Sequence, residues 1–125
     1  MNQTVNPETI DSFAMSLPGV TQGFPFDDKV LVYKVGGKIF ALLNIYEFAG
    51  VNLKCDPERA IELRERYEGV IPGYHMNKTH WNTVTTAPKG DVEAQTFWNL
   101  LTHSYELVRV SLPKKILAGL PEYSK

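Results

Sequence analysis

Two β-rich runs, Val30–Val35 and residues 38–43, flank the dipeptide Gly36-Gly37, and that spacing leaves the chain little freedom over its central element. A two-residue loop joins antiparallel strands through a type I′ turn, whose central positions need a positive φ that glycine adopts without strain. The turn then sets the register. Val35 is expected opposite Lys38, Lys34 opposite Ile39, Tyr33 opposite Phe40 and Val32 opposite Ala41. Leu31, Tyr33, Val35, Phe40 and Leu42 would share one face, and Val30, Val32, Ala41 and Leu43 the other. Both faces are apolar near the base of the hairpin. One must pack on helices, and the other needs a cover from another segment, a partner or a dimer mate. At the tip Lys34 and Lys38 point to opposite faces and form a small basic wing.

Helix signals surround this hairpin. Asn6-Pro7-Glu8 offers an N-cap, a proline suited to the first helical position and an acid at the positive helix end. Ile10, Phe13, Ala14 and Leu17 then recur at helical spacing up to Pro18-Gly19. Phe24-Pro25-Phe26 reads as a turn or short edge strand, because proline has no amide proton for a central ladder. Val51, Leu53 and Cys55 alternate with Asn52 and Lys54 as in a half-buried strand, and Asp56-Pro57 caps a second helix of about 11 residues. Ala60, Leu63, Arg64 and Tyr67 share one arc of that helix, and Gly69 is its expected stop. Pro88-Lys89-Gly90-Asp91 turns into a third helix, in which Ala94, Phe97, Trp98, Leu101, Tyr105 and Val108 repeat over about four turns. A short basic helical turn from Lys114-Lys115 follows Leu112-Pro113.

The order is α-β(3–4)-α-β(1–2)-α, and runs of strands in place of strict βα alternation predict an α+β fold: a two-layer domain with an antiparallel sheet packed on helices. With 125 residues and no internal repeat or long linker, residues 1–125 read as one domain. A lone cysteine excludes an internal disulfide, and Met1-Asn2-Gln3-Thr4 lacks the basic and apolar regions of a signal peptide. No apolar run approaches the roughly 20 residues of a membrane span, so a cytoplasmic location without a membrane partner is expected.

The net charge of −1 is unevenly placed. Residues 1–28 hold Glu8, Asp11, Asp27 and Asp28 and neither Lys nor Arg, whereas residues 29–54 set Lys29, Lys34, Lys38 and Lys54 against Glu47. Residues 55–69 return to net acid and the remainder is mildly basic. Such a chain can present a weakly basic surface.

The densest set of polar side chains is Tyr74-His75-Met76-Asn77-Lys78-Thr79-His80-Trp81-Asn82. His75, Asn77, Lys78, His80 and Asn82 can contact phosphates or a small anion, while Tyr74 and Trp81 can stack on bases or line a pocket. The same residues also suit a scaffold, with Tyr74 and Trp81 as core anchors and the asparagines capping turns. Metal binding and cofactors are not expected. His75 and His80 stand five apart, which fits neither the helical zinc pair nor a finger, and Cys55 and His103 are remote in sequence. Cys55 falls on the apolar side of its strand, where a buried thiol is inert, and neither a nucleophile elbow nor a phosphate-binding glycine loop is present, so no catalytic residue is assigned.

Several stretches resemble the MmcQ/YjbR family of small bacterial proteins. They are Leu17-Pro18-Gly19-Val20, Phe24-Pro25-Phe26, Gly37-Lys38-Ile39-Phe40-Ala41, Asn52-Leu53-Lys54-Cys55-Asp56-Pro57, Pro72-Gly73-Tyr74-His75-Met76-Asn77-Lys78, His80-Trp81-Asn82-Thr83-Val84, His103-Ser104-Tyr105-Glu106-Leu107-Val108 and Leu112-Pro113-Lys114-Lys115. The resemblance implies a fold similar to secretion chaperones and to the frataxin-like CyaY architecture. It also implies a double-wing DNA-binding motif and supplies no catalytic residues. The expectation is therefore a non-enzymatic domain that binds DNA weakly and salt-sensitively, Lys34, Lys38 and Lys78 touching phosphates and His75, Asn77, His80 and Asn82 adding polar contacts. A second expectation is a chaperone-like module that binds a protein partner or forms a homodimer through an apolar sheet face. A third is a small-molecule or anion site at His75, His80 and Trp81.

Overall fold

The computed structural model describes residues 4–73 and 76–123. Its elements run α1 (Pro7–Ser16), β1 (Val20–Gly23), β2 (Val30–Val35), β3 (Lys38–Asn44), β4 (Val51–Lys54), α2 (Pro57–Arg66), β5 (Val70–Pro72), β6 (Trp81–Val84), α3 (Ala94–Val110) and α4 (Lys114–Ala118). Asn6 and Thr9 form a reciprocal capping box on α1, each side chain accepting the other's backbone N–H. The Asp56 carboxylate accepts from the Arg59 N–H to start α2. Phe24-Pro25-Phe26 is the turn after the edge strand β1, and Asp27 ends that turn by accepting the Lys29 and Val30 amides at 2.8 and 2.9 Å. Those two bonds hold its carboxyl below the ordinary range.

α2 stops at a Tyr67 cap, two residues before Gly69. Gly69 serves a different purpose, because a Cβ there would stand 2.5 Å from the Thr85 carbonyl oxygen. The absent side chain lets the entry to β5 pass against the exit from β6, where Thr85 N–H donates to the Gly69 carbonyl.

The six strands form one antiparallel sheet in the order β1-β2-β3-β4-β6-β5. Gly36 and Gly37 turn the central hairpin with φ of +59° and +83°, and Val35 and Lys34 face Lys38 and Ile39. Beyond that point the turn-derived register fails: Tyr33 pairs with Ala41, not Phe40, and Val32 with Leu42, not Ala41. The ladder slips by one residue between Tyr33 and Lys34, a β-bulge that turns Phe40 and Ala41 to the same side and reverses the alternation for the rest of β3. Ala41 and Leu43 therefore join Leu31, Tyr33, Val35 and Phe40 beneath the helices. Leu42 leaves that set and packs with Val32 on the opposite face.

The bulge also interrupts β3 and β4 at Phe40 and Lys54, and a helix residue closes the gap. The Ser104 hydroxyl of α3, fully buried, accepts the Lys54 N–H at 2.9 Å and donates to the Phe40 carbonyl at 2.5 Å. Two strand groups without a ladder partner are thereby satisfied by one side chain.

All three longer helices lie on one face of the sheet. α1 seats Ile10 and Ala14, and α3 seats Phe97, Trp98, Leu101, Tyr105 and Val108, in a single core with the inward strand residues. Tyr33 donates its hydroxyl to Asp11 of α1 at 2.7 Å, and Tyr105 donates to the Pro18 carbonyl. α2 is tied to β6 on the same side through Asn82. Among the described residues, no helix packs on the other face of the sheet.

Candidate nucleic-acid interface

Strand pairing places Thr21 beside Lys34, Val32 beside Leu42, Leu42 beside Asn52, Asn52 beside Thr83 and Lys54 beside Trp81 across the helix-free face. Asn52 and Thr83 are hydrogen-bonded to each other there. Val32, Leu42 and Trp81, only 1%, 6% and 9% exposed, form a small cluster with Val30, Ile39 and Met76. Of the three covers the sequence allowed, another segment, a partner or a dimer mate, the first is seen: the apolar stripe is largely covered within the chain, partly because Met76 in the β5–β6 connection lies against it.

Lys34 and Lys54 stand over this face, two strand spacings or about 10 Å apart. Sequence reasoning selected Lys34 and missed Lys54. The signal was the alternation of Asn52 and Lys54 with the apolar positions of β4, which shows that the two share a side without showing what lies beside them. Lys38 is exposed at the hairpin tip opposite Val35, on the side where the helices pack, so the wing lysines do point apart.

The six strands contain Lys34, Lys38 and Lys54 and no Asp or Glu. The carboxylates lie in helices, caps and loops, with Glu58, Glu62 and Glu65 on α2 and Glu8 and Asp11 on α1. The helices balance these acids, with Arg59, Arg64 and Arg66 on α2 and Lys114 and Lys115 on α4, so the asymmetry lies in the strands, which carry lysines alone.

The remaining predicted contacts divide. Tyr74 and His75 lie outside the described residues. Lys78 and His80 are exposed on the turn before β6; the Lys78 carbonyl accepts from the Arg64 guanidinium and the His80 carbonyl from the Cys55 N–H at 2.7 Å. Asn77 is a turn former, its side chain accepting from Thr79 N–H at 2.8 Å and its carbonyl from Trp81 N–H at 2.9 Å. Asn82 is corrected outright. It is 1% exposed on the helical side, accepts from Arg64 Nε at 2.7 Å and donates to the Ala60 carbonyl at 3.3 Å, so its amide secures α2 and is closed to a ligand. Trp81 is an anchor of the sheet cluster, with little ring surface left for stacking.

Cys55 is buried, and burial pushes its thiol pKa up, away from the reactive thiolate. Among the described residues, no group of three or more His, Cys, Asp and Glu is placed to hold a metal, and no helix is long and apolar enough to cross a membrane.

A small α+β domain with one helical layer, a bulged six-stranded sheet and an open basic face is the class that this fold and surface define. The chain belongs to the YjbR family, whose profile matches residues 15–107. It is 37% identical to YbdF of Escherichia coli O157:H7 over 86% of this chain and 88% of that protein. It is 33% identical to YjbR of Escherichia coli K12 over 82% and 86%. Both relatives are described as uncharacterized. Among solved structures, a Deinococcus radiodurans protein with a DUF419 domain superposes with a TM-score of 0.84 at 38% identity, covering 93% of this chain and 89% of its own. A Pseudomonas syringae protein gives 0.70 at 26% identity, covering 83% and 99%.

Proposed function

We propose that the chain is a non-catalytic nucleic-acid-binding domain whose helix-free sheet face engages phosphates through Lys34 and Lys54, with Lys38 reaching a further phosphate from the hairpin wing. The observation that carries this reading is the exclusion of acids from all six strands of a sheet that bears lysines and leaves one face open. Lys78 and His80, exposed on the β5–β6 turn, add positive or polar groups at the periphery.

Three phosphate contacts make a weak, salt-sensitive binder. Each contact contributes a slope of about −0.9 in log affinity against log salt, so raising salt fourfold weakens duplex binding about 40-fold. Removing two contacts leaves only an about 3.5-fold loss over the same interval. Fluorescence anisotropy of a labelled DNA duplex at 50 and 200 mM salt, with the wild type and a Lys34→Ala/Lys54→Ala variant, tests it. The reading fails if neither the duplex nor a single strand is bound at 50 mM, or with a double variant that keeps both affinity and salt slope.

A further inference from the structure

We propose that the cleft at the β1–β2 end of the open face accepts one unstacked nucleotide, which makes single-stranded nucleic acid the preferred ligand of the domain. This rests on the phosphate-binding reading above and specifies the form of its ligand.

The cleft measures about 340 Å³, and its lining includes Thr21, Gly23, Phe24, Pro25, Val32 and Lys34. Register explains its construction. Thr21 pairs with Lys34 and Gly23 with Val32, which puts a hydroxyl and an ammonium at one end and a missing side chain over an apolar floor at the other. A Cβ built on Gly23 meets nothing within 4 Å, so the space above that residue is open. Phe24 follows directly and stays 44% exposed beside the cleft. A large aromatic ring exposed next to a lysine is what a splayed base requires, since the ring takes the base by stacking and the ammonium takes its phosphate. In a duplex the bases are stacked on one another and cannot enter a one-nucleotide cleft. β1 is also the sheet edge, so a strand leaving the cleft meets no neighbouring element of the sheet.

The test compares anisotropy titrations of a labelled 20-nucleotide single strand and its duplex at 50 mM salt. The quantity read is the ratio of single-strand to duplex affinity. The wild type is expected to favour the single strand, and Phe24→Ala to reduce the ratio about tenfold, the scale of one lost stacking contact. Gly23→Val fills the cleft at a position with room for the added atoms and is expected to reduce it similarly. Phe26→Ala removes a ring that is 66% exposed and absent from the cleft lining, and is expected to leave the ratio at its wild-type value. A wild type that binds both forms equally, or Phe24→Ala and Gly23→Val variants that keep the preference, overturns the cleft assignment while phosphate binding stands. A wild type that binds neither form overturns both.

Discussion

Replacing Ser104 with alanine removes one oxygen and strands two backbone groups, and the cost can be worked from the structure. The hydroxyl joins Lys54 N–H to the Phe40 carbonyl across the gap left by the bulge, and the residue has no exposed surface. Alanine offers neither group a replacement partner. Each buried group without a partner costs about 1–3 kcal/mol, with the part-buried Lys54 amide at the low end, giving about 2–4 kcal/mol in all. At about 2.1 cal/mol/K of unfolding entropy per residue, a chain of 125 residues loses about 8–15 °C in Tm. Urea unfolding followed by tryptophan fluorescence, with calorimetry, measures both. Thr102→Val is the matched control: the Thr102 hydroxyl donates to the Trp98 carbonyl of its own helix at 2.9 Å, and removing it strands no strand group. A Ser104→Ala variant as stable as Thr102→Val, within about 0.5 kcal/mol, refutes the claim that this hydroxyl closes the sheet.

Three further outcomes follow from the same packing. Asn82→Ala removes a bond from the Arg64 guanidinium and is expected to cost about 1.5–3 kcal/mol in a urea titration while nucleic-acid affinity changes less than about twofold; the reverse pattern restores Asn82 as a contact residue. Burial and then the Asp11 hydrogen bond raise the Tyr33 pKa, and burial and then the Glu106 bond push that of Tyr123 up to about 12. The native state keeps these protons after the unfolded chain has released its own near pH 10, so urea midpoints should fall from about pH 10 upward, and Tyr33→Phe should flatten the decline. Gly36→Ala meets both a positive φ and a Leu112 methyl 2.6 Å from the new Cβ, whereas Gly37→Ala meets only the φ; calorimetry should therefore rank Gly36→Ala as the more damaging by at least 1 kcal/mol or so.

The parts of the fold legible in advance were those decided by local chemistry. The capping asparagine and aspartate, the glycine turn, and the apolar stripe of α3 each act within a few residues, and each appears where the sequence placed it. Sorting the faces of β3 was not local. Strict alternation from the turn grouped Leu42 with Tyr33 and Phe40, and Ala41 with Val32, and the bulge at Phe40 exchanged Leu42 and Ala41. Nothing in residues 38–43 announces that extra residue; its support comes from Ser104, more than sixty positions away. The candidate site divides the same way. Lys34 was legible because the turn fixed its direction, whereas Lys54 gains meaning only when β6 pairs beside it, and Asn82 loses its role when α2 closes over it. The Gly23 cleft is a tertiary product of edge-strand pairing that no linear spacing reveals.

The central claim is that ligand contact belongs to the helix-free face of the sheet. Amide chemical-shift mapping of ¹⁵N-labelled protein during titration with a short single-stranded DNA tests it most directly. The account predicts salt-sensitive shifts concentrated at Thr21, Gly23, Lys34, Asn52 and Lys54, with the outward side of α2 and α3 unmoved. Shifts concentrated on the helices, or none at 50 mM salt, contradict it.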